Sequence, residues 1–138
     1  MSQEDVEVLR RMFELFSEQE QDWEAISTLI GPDIVWEVRP DFPDAGVYTG
    51  YAGMRRLSRA FDEAVEQTWY EPLEYIHIGL QIVVPLRWGG LGIGSGAAFS
   101  EREETWVFTL RDGKIRHVVE FATKEAALEA AASAEKAT

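Results

Sequence analysis

Thr105-Trp106-Val107-Phe108-Thr109-Leu110-Arg111-Asp112-Gly113-Lys114-Ile115-Arg116-His117-Val118-Val119 is the stretch on which the fold turns. Two runs of β-branched and aromatic residues flank Asp112-Gly113, a pair suited to the two-residue primed hairpin turn, whose central residues take positive φ. The reading is two long antiparallel strands, Ala97 to Leu110 and Lys114 to Thr123. That register sets Glu101 to Thr105 beside Val119 to Thr123, so a run of carboxylates (Glu101, Glu103, Glu104) comes close to Glu120. Strands near Leu73 to Ile78 and Leu80 to Trp88 precede the hairpin and complete a four-strand meander. Gly89, Gly90, Gly92, Gly94 and Gly96 read as a flexible or bulged bend between strands, a candidate lid over the pocket mouth. No Gly-x-x-x-x-Gly-Lys occurs there and no helix follows, which excludes a phosphate loop. Pro85 cannot donate to a sheet ladder and reads as an edge or bulge position.

Upstream of Trp69 the apolar period changes from 2 to about 3.6. Ser2 and Asp5 form a capping pair for a first helix with Val6, Leu9, Phe13 and Phe16 on one face. Asp22 caps a short second helix carrying Trp23, Ile26, Leu29 and Ile30, which Gly31-Pro32 ends. Asp33 to Arg39 alternates as a strand, residues 40–46 read as a loop, and a third helix runs from about Ala52 to Gln67 with Met54, Leu57, Phe61 and Val65 on its apolar side. After the last strand, the Ala-rich segment from Lys124 has high helix propensity but little to bury, so 124–138 is expected to be a short helix and a frayed tail. The whole, 1–138, is a single α+β domain in the order helix-helix-strand-helix-strand-strand-strand-strand-short helix. Its curved antiparallel sheet wraps around the helices as a cone, leaving a pocket between them.

Composition narrows the function classes. Twenty-five acidic against 13 basic residues give a net charge of −12, which repels phosphate backbones and anionic lipid, so neither nucleic acid nor a membrane is expected as a partner. The absence of Cys removes thiolate chemistry and disulfides, and two separated His make a His-rich metal centre improbable. No cofactor is expected. The opening residues are acidic and the apolar runs are short, so the expected location is cytoplasmic. Five Trp within 12% aromatic residues supply large side chains for a core or for the walls of a site.

Alternation divides the Glu-bearing strand into two faces. One carries Glu101, Glu103, Thr105, Val107 and Thr109, and the other Arg102, Glu104, Trp106, Phe108 and Leu110. A carboxylate facing a partly dry cavity gains a raised pKa and serves as general acid or base, so Glu101 and Glu103 are candidates if theirs is the inner face. The alternative is a solvated strand end paired to Arg87 and Arg102. Glu120, among apolar neighbours, is the best single pocket acid; its alternative is a partner outside the cavity. His117 is a candidate base near neutral pH, or else a surface or interface residue. Trp36, Tyr48, Tyr51 and Trp69 are candidate walls for a flat apolar ligand, with the Tyr48 hydroxyl placed to position a carbonyl. Arg87, with Arg39, could bind a ligand carboxylate or polarise an oxygen.

The chain also resembles the SnoaL-like proteins of the nuclear transport factor 2-like superfamily. The matching features are the helical hairpin, Pro32-Asp33-Ile34-Val35-Trp36-Glu37, Val47-Tyr48-Thr49-Gly50-Tyr51 before a helix, Val83-Val84-Pro85 running into the glycines, Leu110-Arg111-Asp112-Gly113-Lys114-Ile115, and Glu120-Phe121 before the terminal helix. The resemblance implies a cone-shaped α+β fold, commonly a homodimer through the outer sheet face, with a cavity for a hydrophobic small molecule. It also implies relatives among cyclases, isomerases, hydrolases and non-enzymatic proteins, so fold alone does not fix an activity. The ketosteroid-isomerase pattern is not reproduced, since the first helix has no Tyr and Thr105 stands where the second acid would be. The expectation is a small-molecule pocket protein: a cofactor-independent acid-base isomerase, cyclase or hydrolase acting on a ring-containing substrate, with Glu120, Glu103 or His117 moving the proton, or else a non-catalytic binding protein.

Overall fold

Among the described residues seven strands form one curled sheet in the order β2-β1-β7-β6-β5-β3, with the short β4 paired to β5 outside that path. The structure, a computed structural model, describes residues 3–42 and 45–137; the side chains of 98–102 and 137 lie outside that description. The capping role of Ser2 and the inward role of Glu101 fall on residues not described. The elements are α1 (Gln3–Phe16), α2 (Trp23–Ser27), β1 (Ile30–Val38), β2 (Gly46–Thr49), α3 (Gly50–Ala64), β3 (Val65–Pro72), β4 (Ile76–Ile78), β5 (Gln81–Gly92), β6 (Ala98–Arg111), β7 (Lys114–Phe121) and α4 (Lys124–Ala137). The architecture is the α+β cone. None of the described helices is long and apolar enough to cross a membrane.

The β6–β7 hairpin forms as the Asp-Gly pair dictates, with Asp112 at φ 56° and Gly113 at φ 73°. Its register sets Trp106 opposite Glu120 and Phe108 opposite Val118 on the inner face. A bulge shifts the register between Leu110↔Ile115 and Thr109↔His117. Ile115 and Val118 are therefore both buried in the main core, and simple alternation from Ile115 fails one residue later.

Several boundaries differ from the sequence reading. Gly31-Pro32 does not end a helix but lies inside β1, in the irregular stretch between Ile30 and Val35 of the β1–β7 pairing. Gly46, read as the end of a loop, opens β2, which pairs with β1 from Val35↔Thr49 to Val38↔Gly46. Helix α3 stops at Ala64, and Val65 is already extended at φ −137°; the β-forming run from Val65 to Tyr70 prevails over the helical period. β3 then bulges at Gln67, whose φ is 55°. Opposite that bulge Gly90 is required by proximity: a Cβ there would sit 2.7 Å from Val65 Cγ1 and 3.0 Å from the Glu66 carbonyl.

The inner face carries the main core, in which Leu9, Met12, Phe13 and Leu15 of α1 meet Ile34, Ile82, Val84, Leu86, Phe108 and Val118 of the sheet. The C-terminal helix corrects another expectation. α4 runs 14 residues and buries Ala127 and Ala131 completely, against Val83 and Val107 on the outer face. Small side chains let its axis approach the strands closely, so it has more to bury than its composition suggests. Thr123 Oγ1 caps it by accepting from Ala126 N at 3.1 Å.

Candidate functional site

Between the inner sheet face and the helices lies a cavity of about 460 Å³, within the size range of small-molecule sites. Its floor is built by register. On β5 and β6, Leu86 pairs with Glu104 and Trp88 with Arg102, which places the Trp88 indole diagonally across from Glu104. Trp106 follows Glu104 by two residues on the same face and stands opposite Glu120 on β7. Trp36 pairs with Val118 on the parallel neighbour β1, within reach of Glu120.

The rings interlock. Trp106 stacks on Phe13 with centroids 5.6 Å apart and meets Trp36 edge-on at 5.2 Å. Tyr70 stacks on Trp88 at 6.3 Å. Such contacts add to area burial and fix ring orientation.

Two carboxylates project into this aromatic floor, and they are held differently. Glu104 is 3% exposed and receives three donors. Trp88 Nε1 and an Arg39 guanidinium nitrogen reach its Oε2 at 3.0 and 3.2 Å, and Trp106 Nε1 donates to its Oε1. Arg39 is itself clamped by Asp41 and lies 4.4 Å above the Phe42 ring. A buried charge so surrounded is satisfied. Glu120 has less: its Oε2 accepts from Trp36 Nε1 at 2.7 Å, its Oε1 takes a long 3.4 Å contact from the Arg39 backbone N–H, and among the described residues it makes no ion pair. Burial, reinforced by the neighbouring charge of Glu104, pushes its carboxyl up to about 7, against the pull of the Trp36 hydrogen bond and Arg39.

Tyr70 also lines the cavity. Its backbone N–H donates to Ser17 Oγ at 3.0 Å, and Ser17 donates to the Phe13 carbonyl, so the end of α1 fixes this point of β3. Among the described residues no hydrogen bond to its hydroxyl is formed. Burial, with the negative charges of Glu120, Glu104 and Asp62, raises the phenol well above its ordinary value and keeps it a neutral donor. Burial likewise raises Asp62 on α3, which lines the cavity with Glu63. Among the described residues no group of three His, Asp or Glu gathers with the geometry of a metal site.

Of the candidates read from sequence, the cavity brings together Glu120 and Trp36. Glu103 must be corrected: it pairs with Arg87 on the outer face and is exposed, because the inner face is the one that carries Trp106 and Phe108. His117 lies on the outer side of the β7 bulge, opposite Thr109, where its Nε2 meets Glu37 Oε2 at 2.6 Å. Arg87 binds Glu71 Oε1 at 2.8 Å on that outer face. Trp69 pairs with Gly89 in the same outward phase, so its neighbour Tyr70 takes the inner position. Tyr48 lies under the Arg56 guanidinium at 5.1 Å, and Tyr51 reaches the Ser27 and Ile30 carbonyls at 3.5 Å from outside the cavity. Glu104, Tyr70, Trp88 and Trp106 were missed as site residues. For Glu104 the signal was present, since it shares the parity of Trp106, Phe108 and Leu110 and is the acid on the apolar face.

The model of the SnoaL-like domain matches residues 9–118. The chain belongs to the SnoaL-like domain family. No curated protein matches it. Solved structures with this SnoaL-like fold include an NTF2-like protein of unknown function from Burkholderia pseudomallei, 21% identical, with 91% of this chain and 95% of that one covered at a TM-score of 0.75. TerC, co-crystallised with polyporic acid, is 20% identical over 93% of this chain and 98% of its own, also at 0.75. An NTF2-like protein from Burkholderia xenovorans is 26% identical over 96% and 98%, at 0.69. The SnoaL-like match ends two residues before Glu120.

Proposed function

We propose that this SnoaL-like protein is a cofactor-independent acid-base enzyme acting on a hydrophobic, ring-containing small molecule, with Glu120 as the group that moves the proton. The observation that carries the reading is the asymmetry of the two inner carboxylates. Glu104 is satisfied by two indoles and a guanidinium, whereas Glu120 faces the cavity with one short hydrogen bond and, among the described residues, no ion pair. A carboxyl that exchanges its proton near neutral pH is matched to general acid-base work. The Tyr70 hydroxyl supplies a neutral donor for an oxygen on which negative charge develops. In one cycle the Glu120 carboxylate takes a proton from carbon next to a carbonyl, the enolate oxygen is held by Tyr70, and the Glu120 acid returns the proton to carbon or delivers it to the oxygen as an enol.

That TerC was co-crystallised with polyporic acid supports a ligand-holding use of this cone. A homodimer, packed through the part of the outer face that α4 leaves open around Glu37 and His117, belongs to the same proposal, and its test is the mass in sedimentation.

The activity is tested without a known substrate by deuterium exchange. A panel of cyclic and aryl ketones is incubated with the protein in D2O and followed by NMR. Catalysed exchange next to the carbonyl is expected for the ketones that raise the melting temperature, with a loss of about 100-fold or more in Glu120→Gln. Thermal stabilisation without exchange in the wild type would instead establish a non-catalytic binding protein.

A further inference from the structure

The lining of the cavity is unusual in charge. Among the described residues it contains eight aromatic side chains and four carboxylates, Asp62, Glu63, Glu104 and Glu120, and no Lys, Arg or His. Arg39 approaches Glu104 from outside that lining and is occupied there and by Asp41. An anionic ligand is therefore repelled, and a neutral apolar one leaves Glu120 in a desolvated place with only Arg39, which is already shared between Glu104 and Asp41, as a countercharge. A cation answers both features, because aromatic rings attract it electrostatically through their quadrupoles and carboxylates pair with it.

We propose that the cavity takes the cationic end, a quaternary or protonated tertiary ammonium, of an otherwise apolar ring-bearing molecule, with Trp36, Trp88 and Trp106 lining the seat of the nitrogen and Glu120 supplying the countercharge. This rests on the reading of the cavity as the ligand site and not on proton transfer within it. At about 460 Å³ the space exceeds a trimethylammonium head, so the cation is one end of a larger molecule. The unpartnered Tyr70 hydroxyl is left to meet a polar group elsewhere on that molecule. Because a cation favours the ionised form of Glu120, binding of a permanently charged ammonium strengthens as pH rises through neutrality. Among the described residues, the charged groups that act on Glu120 are Glu104 on β6 and Arg39 after β1, and Tyr70 on β3 with Asp62 and Glu63 on α3 lines the same cavity.

The experiment compares choline with its uncharged isostere 3,3-dimethylbutan-1-ol, and benzyltrimethylammonium with neopentylbenzene, by following the indole N–H resonances of the wild-type protein. The cations are expected to move the Trp36, Trp88 and Trp106 signals at concentrations about tenfold or more below those of the isosteres. That preference is expected to grow from pH 5.5 to pH 8, and in Glu120→Gln it should shrink to about threefold or less and become independent of pH. The wild-type comparison stands even if the variant folds poorly. Equal or tighter binding of the isosteres overturns the ammonium proposal while leaving the cavity as the ligand site. If none of the four compounds moves those signals, both are overturned.

Discussion

Replacing Glu120 by Gln should stabilise the protein at neutral and alkaline pH and leave it nearly unchanged in acid. In the fold the carboxyl binds its last proton at about 7, against an ordinary value of 4.5. The folded state therefore binds the proton more tightly than the unfolded chain, and stability from this group is fully present below pH 4.5 and lost as pH rises through 7. The difference of 7 − 4.5, at about 1.4 kcal/mol for each tenfold in proton affinity, comes to about 3 kcal/mol. Gln keeps the shape and the acceptor for Trp36 Nε1 but never ionises, so it escapes that penalty. The assay is urea denaturation of both proteins from pH 4.5 to pH 9, taking the difference at each pH so that the remaining carboxylates cancel. The expected difference is close to zero at pH 4.5 and grows to about 3 kcal/mol in favour of the variant at pH 9, or roughly 10 °C in melting temperature. A difference that stays constant across the range would show that Glu120 is not desolvated, and the acid-base reading would lose its physical basis.

Removing the neighbouring charge should act on both stability and titration. Glu104→Gln leaves Arg39 without its buried partner and should cost about 3 kcal/mol in denaturation experiments, while lowering the midpoint of the Glu120 carboxyl below 7 because the like charge is gone. Tyr70→Phe deletes a hydroxyl that no described residue engages, so stability should change by less than about 1 kcal/mol; catalysed deuterium exchange should fall by about tenfold or more if the hydroxyl holds the oxyanion. Ala131→Leu on α4 inserts three carbons against Val83 and Val107 and should destabilise by about 1–3 kcal/mol in thermal melts.

Much of this arrangement was legible in the order of residues. The Asp112-Gly113 turn fixed the β6–β7 pairing, and that pairing alone brings the acidic run of β6 beside Glu120. What could not be read was the phase of each strand. Trp106 and Phe108 mark the inner face of β6, and they select Glu104 rather than Glu103 once apolar parity is given more weight than the number of acids. On β7 the bulge near Arg116 breaks that same argument, because Ile115 and Val118 are both inward although three residues apart. On β3 the start of the strand decided the outcome: Val65, read as helical, is extended, and the bulge at Gln67 then turns Tyr70 inward and Trp69 outward. Bulges and helix-to-strand boundaries are set by neighbours such as Gly90, which admits β3 against β5, and a single strand's periodicity does not contain that information.

Titration of the Glu side-chain carboxyl carbons by NMR tests the central claim most directly. One resonance in the wild type is expected to titrate with a midpoint near 7, to be absent in Glu120→Gln, and to shift on addition of a cavity ligand. If every Glu carboxyl titrates below about pH 5, the cavity holds no proton to exchange at neutral pH and the account is wrong.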